Sequence, residues 1–127
     1  MLIQPNKIVI ISRGRLAGTK AVILSHSPKD NSIVVCGVSK YPKKTNKKLN
    51  EYIRKKREAM ITFVKKINIK HVIVTRYKSN MDFKNIDTNK VFEDKLLKKD
   101  ALKRVKTVFK SEMKKDKCAW LFSKLVF

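Results

Sequence analysis

Three short apolar runs within the first 38 residues, KIVIIS (7–12), TKAVILS (19–25) and SIVVCGV (32–38), constrain most tightly what this chain can fold into. Each is dense in side chains branched at Cβ, which are stiff about χ1 and suit a pleated sheet better than a helix. Turn-forming residues punctuate them, RGRLAG (13–18) before the second and HSPKDN (26–31) before the third. The runs are therefore predicted strands. A strand with one wet face alternates apolar and polar residues; these are nearly continuous, so both faces of their sheet are expected to be covered. MITFVKKINI (60–69) and HVIVTRY (71–77) read as two more strands, and five short strands suit a small curled barrel.

The segment YPKKTNKKLNEYIRKKRE (41–58) separates the two strand groups. Pro42 stops strand pairing, Thr45 or Asn46 can cap, and Leu49, Tyr52 and Ile53 recur at helical spacing, which predicts a short helix at about 46–58. Its other face carries Lys47, Lys48, Arg54, Lys55 and Arg57. Residues 78–95 lack a strong period and read as an extended connection. A second helix is predicted at about 99–116, with Asp100 as its cap and Leu102, Val105, Phe109 and Met113 in one apolar stripe. The final KCAWLFSKLVF (117–127) holds the sole tryptophan and is far more apolar than a fraying chain end, so it is expected to dock on the barrel or on a partner, with base stacking by Trp120 or Phe122 a third option that the surrounding leucines, which read as packing residues, weaken. The expected architecture is α+β in two parts. Residues 1–77 form a barrel with the inserted short helix, and residues 78–127 supply the connection, the basic helix and the apolar tail.

Charge selects the partner. Lys and Arg total 32 against 10 acids, a net charge of +22. Self-repulsion on that scale opposes compaction unless polyanions or dense counterions neutralise it. The cations run through nearly the whole chain instead of forming one tail, which fits contact with an extended phosphate polymer. Nucleic acid is the leading partner, and a module for duplex DNA would share this charge. Polybasic membrane binding takes a compact cluster beside a lipid anchor or amphipathic helix, and no apolar run approaches the roughly 20 residues that span a bilayer. The N-terminus lacks a basic flank, apolar stretch and small-residue cleavage site, so a cytosolic or nuclear protein is expected.

The residues for catalysis or metal binding are missing. Cys36 and Cys118 stand far apart without metal spacing, so neither a disulfide framework nor a zinc site is expected, and Cys36 reads as a core residue. His26 and His71 have no second ligand at metal spacing. Glu93 and Asp94 are adjacent and would not share one face of a helix or strand. GRLAG does not run into Gly-Lys-Ser/Thr opening a helix, so it is not a phosphate loop. No enzyme, cofactor or small-molecule substrate is expected.

KIVIISRGRLAGTKAVIL (7–24) resembles a KOW motif, the strand-turn-strand unit of small SH3-like barrels, with Gly18 in the place of the central glycine and Gly14 at the start of the turn. VCGVSKYPKK (35–44), HVIVTRY (71–77), ALKRVK (101–106) and WLFSKLVF (120–127) resemble, in order and spacing, the L27e family of large-subunit ribosomal proteins. The resemblance implies a structural constituent of the cytosolic large subunit. Such a protein would bind large-subunit rRNA, touch neighbouring ribosomal proteins and pass through the nucleus or nucleolus for assembly. A KOW-type factor of transcription elongation or RNA processing is the alternative, although such factors usually add a separate globular domain. The residues expected to meet RNA are Arg13, Arg15 and Lys20 around the turn; Lys40, Lys43, Lys44, Lys47 and Lys48 in the linker; Arg54, Lys55 and Arg57 on the short helix; Arg76; and Lys103, Arg104 and Lys106 on the long helix. Leu16 stands where the motif has an aromatic, so any stacking carried by that turn side chain would be lost, though apolar packing could remain. Leu121 and Val126 replace an aromatic and a basic residue of the family's ending, which favours apolar docking of the tail.

Overall fold

The computed structural model describes residues 2–83, 86, 88–115 and 119–123. In chain order the elements are strands β1 (Lys7–Ile11), β2 (Lys20–Ser27) and β3 (Ser32–Lys40), helix α1 (Glu51–Glu58), β4 (Ile61–Asn68), a 3-10 turn (Ile69–His71), β5 (Val72–Lys78), helix α2 (Lys95–Lys115) and a second 3-10 turn (Ala119–Phe122). The protein is α+β, and its five strands form one antiparallel sheet in the order β4-β3-β2-β1-β5.

Strands β4 and β5 are consecutive in the chain yet lie at opposite edges of the sheet. A flat five-stranded sheet would hold its edges about 19 Å apart, whereas the four residue steps from Asn68 to Val72 reach at most about 14 Å. The sheet must therefore curl until the end of β4 meets the start of β5. Two backbone hydrogen bonds seat this corner. The Ile69 N–H donates to the Asn31 carbonyl at 3.0 Å, and the Ser12 N–H donates to the His71 carbonyl at 2.8 Å. The corner joins the two edges at one end without a ladder between them, so the sheet is curled but not closed.

The nearly continuous apolar runs are explained by two layers of packing. In β3, Ile33 and Val35 join Val9, Ile11, Leu16, Ala21, Ile23, Phe63 and Ile67 in one cluster, built from sheet and turn residues. The intervening Val34, Cys36 and Val38 face the other side, where Ile8, Val22, Met60 and Val64 meet Ala101, Val105 and Phe109 of α2. Both faces of β1–β3 are covered, as the sequence predicts, while β4 and β5 at the edges keep exposed side chains. Burial drives the Cys36 thiol pKa well above its ordinary value, so Cys36 is a neutral core side chain.

The helices differ from expectation at their starts. α2 begins at Lys95, and Asp94 caps it by accepting the Leu96 N–H at 3.1 Å; Asp100 lies exposed inside the helix. Residues 95–100 are exposed throughout, and the buried stripe of Ala101, Val105 and Phe109 begins only where the helix reaches the sheet. α1 begins at Glu51 with Asn50 as its cap, accepting the Tyr52 N–H at 3.3 Å. Asn46 instead closes a turn, accepting the Lys48 N–H at 3.4 Å. The described part of the connection before α2 has neither helix nor strand, but Met81 and Val91 anchor it in the α2-side cluster. Cys118 and residues 124–127 lie outside the described residues, and with them the expectations placed on Cys118 and Val126.

Candidate nucleic-acid interface

The turn between β1 and β2 is held rigidly. The Gly18 N–H donates to the Ile11 carbonyl at 2.7 Å, the Ala17 N–H to the Gly14 carbonyl at 3.1 Å, and the Thr19 hydroxyl to the Leu16 carbonyl at 2.6 Å. Gly14 and Gly18 have φ of 94° and 83°, the left-handed region that L side chains avoid. Leu16 is buried in the sheet cluster, so the turn is fastened from below by apolar packing while Arg13 and Arg15 stay exposed above it.

Arg15 does not stand alone. It lines an open cleft with Lys65 on β4 and Lys98 on α2, over a floor of Leu16, Phe63, Val64 and Leu102. Three cations from three elements repel one another, and an anion between them relieves that repulsion. Lys65 and Lys98 were not read from the sequence as contact residues. The signal for Lys65 is the charged pair Lys65-Lys66 that interrupts the apolar residues of β4; Lys98 gave none, because its turn of helix has no apolar period.

A second cationic group forms around α1. The Lys43 N–H donates to the Arg57 carbonyl at 3.0 Å, and the Lys40 ammonium donates to the Lys56 carbonyl at 3.2 Å, so the linker satisfies orphan carbonyls at the end of the helix. Thr45 donates its hydroxyl to the Glu58 carboxylate. Lys43, Lys44, Lys47, Lys48, Lys55 and Arg57 are exposed, while Lys40 and Arg54 are half-buried. No residue of α1 is buried, and Tyr52 on its apolar stripe is 70% exposed. On α2, Lys103 and Arg104 are exposed and Lys106 is half-buried; Arg76 is exposed on the β5 edge.

Lys20 departs from the expected set. Only 1% of it is exposed, and its ammonium donates to the Trp120 carbonyl, to the Ser123 carbonyl at 3.0 Å and to the Ser123 hydroxyl at 3.2 Å. The same nitrogen lies 4.2 Å from the centroid of the Trp120 ring. Burial lowers the pKa of this ammonium from its ordinary value. Lys20 thus faces inward, because Trp120 and Ser123 lie against it and supply the acceptors that a phosphate would otherwise provide. Among the described residues no cluster of three His, Cys, Asp or Glu could hold a metal ion, and no helix is long and apolar enough to cross a membrane.

Fold and charge define a class, the small, strongly basic α+β proteins that present cations from a rigid turn, a linker and helices. Within that class the chain belongs to the Ribosomal L27e protein family, whose profile matches residues 8–127. It is 35% identical to the large ribosomal subunit protein eL27B of Schizosaccharomyces pombe, covering 99% of this chain and 98% of that one. It is likewise 35% identical to the large ribosomal subunit protein eL27z of Arabidopsis thaliana, over 98% and 96% of the two chains. Against the large ribosomal subunit protein eL27B of Saccharomyces cerevisiae the identity is 33%, over 98% and 97%. This is a family of structural ribosomal proteins, and the chain is not an enzyme.

Proposed function

We propose that this protein is a structural constituent of the large subunit of the cytosolic ribosome, held there by phosphate contacts to large-subunit rRNA. The observation that carries the reading is the match to large-subunit proteins at about one third identity over nearly the full length of both chains. The exposed cations supply the mechanism. Lys and Arg displace counterions condensed on the RNA and provide most of the affinity, while the curled sheet and α2 fix their positions. Folded RNA is met mainly through shape, backbone and 2′-hydroxyls, so contacts to base edges are few.

Within this reading the curled sheet is a KOW-type, SH3-like barrel left open at one side, and its β1–β2 turn presents Arg13 and Arg15 to phosphate. The cleft of Arg15, Lys65 and Lys98 seats backbone phosphate, and the α1 group, Arg76, Lys103, Arg104 and Lys106 extend the contact. Residues 1–77 are the barrel part and residues 78–127 the connection, basic helix and tail, and neighbouring ribosomal proteins cover the remaining apolar surface. Assembly passes through the nucleolus. The test is sedimentation of a tagged copy in a cell lysate. The protein should run with large subunits and stay bound in moderate salt; recovery only in the soluble fraction would overturn the assignment in favour of a free RNA-binding factor.

A further inference from the structure

The β5 edge and the tail bring together two aromatic rings that phosphate contact alone does not use. The Tyr77 and Trp120 rings lie 5.0 Å apart between centroids, tilted by 44°. The Arg76 guanidinium carbon sits 5.3 Å from the centroid of Tyr77, and the Lys20 ammonium is beside Trp120. The result is a row of cation, ring, ring and cation. Tyr77 is 48% exposed and Trp120 38% exposed, although the next residue, Leu121, is buried at 3%. Trp120 is therefore not a loose chain end. Leu121 seats the tail in the α2-side cluster, Lys20 holds the Trp120 carbonyl, and the indole is left partly open to solvent between them.

We propose that Tyr77 and Trp120 form a stacking platform for an unpaired nucleotide of RNA, with Arg76 meeting its phosphate and Lys20 acting as the positioning residue beneath Trp120. This rests on the rRNA-binding reading and adds to it a contact to a base. Charge complementarity selects the occupant. An apolar side chain from a protein would cover the rings but leave the adjoining Arg76 without a counter-charge, whereas a nucleotide brings a π-face and an anion together. Folded RNA splays such bases out at loops and bulges, where aromatic side chains stack on them regardless of base identity.

The sole tryptophan makes the contact directly readable. The full-length protein is titrated with a short oligoadenylate, with an RNA duplex of equal phosphate count and with inorganic polyphosphate. Indole emission is recorded alongside the anisotropy of a labelled RNA. Oligoadenylate should quench the emission, while duplex and polyphosphate bind without quenching it. Tyr77→Leu should weaken oligoadenylate binding about tenfold and leave duplex binding unchanged, with circular dichroism confirming the fold. Oligoadenylate that binds without altering emission overturns the platform while leaving phosphate binding standing. Equal quenching by polyphosphate overturns it as well, since any anion would then move the tail. Failure to bind either RNA overturns both this inference and the rRNA-binding reading.

Discussion

Gly37 shows how one missing side chain decides the packing of the sheet. A Cβ built there would lie 2.6 Å from the Lys20 carbonyl oxygen and 2.9 Å from Cζ of Phe63. Phe63 can give way, but the Lys20 carbonyl is backbone at the start of β2, where Gly37 pairs with Ala21 across the ladder. Gly37→Ala should therefore cost about 3 kcal/mol through overpacking. Gly14→Ala meets no atom within 4 Å and pays only for its φ of 94°, about 1 kcal/mol. Urea denaturation of the two variants checks the order, and a Gly37→Ala protein as stable as Gly14→Ala would overturn the packing argument. An isolated glycine inside an apolar strand is a sequence mark of such a close approach. Its neighbours Lys20 and Phe63 are remote in sequence, so which atoms approach becomes visible only in the folded chain.

At the scale of elements, sequence and structure agree wherever a segment carries its own burial pattern. The five strands were legible because β-branched runs and turn residues mark them locally, and the continuity of Ile33 to Cys36 foretold cover on both faces. The start of α2 was not legible from periodicity, because Lys95 to Asp100 overhang the core and no face of that segment is buried. Of the candidate site, Arg13, Arg15 and the α1 cations were readable as basic positions from sequence, and all but the half-buried Arg54 are exposed, whereas the convergence of Arg15, Lys65 and Lys98 depends on how three distant elements meet. Lys20 is the sharpest case, since its acceptors lie about a hundred residues away in the tail. Burying its ammonium carries a desolvation penalty, visible in its lowered pKa, which offsets part of what the three hydrogen bonds contribute. Lys20→Met removes both the penalty and the bonds. The penalty and the bonds offset one another, so the urea midpoint should fall mainly by the burial that Leu121 loses as the tail is released, while Trp120 emission shifts to the red and proteolysis after the α2 segment accelerates. Unchanged emission would mean that Leu121 alone holds the tail.

For the whole molecule, a net charge of +22 makes salt act in opposite directions on folding and on binding. In the free protein the cations repel across distances comparable with the Debye length, about 10 Å at 0.1 M, so added salt screens them and should raise the urea midpoint. On RNA the same cations have displaced condensed counterions, and added salt restores competition for the phosphates. If roughly 6 to 10 phosphates are neutralised, affinity for a large-subunit rRNA fragment should fall on the order of a thousandfold or more between about 50 and 200 mM salt. The cleft adds a finer test. Arg15, Lys65 and Lys98 converge on one space, so in the proposed reading they would share one phosphate rather than engage three separate groups. Replacing all three by Gln should lower the slope of log affinity against log salt by about 1, rather than by the 2 to 3 units expected of three independent contacts, each worth roughly 0.7 to 0.9. An undiminished slope would remove the cleft from the interface. A flat response of the unmodified protein would refute the electrostatic account of binding altogether, and a urea midpoint that falls with salt would refute self-repulsion as the force that opposes the free fold.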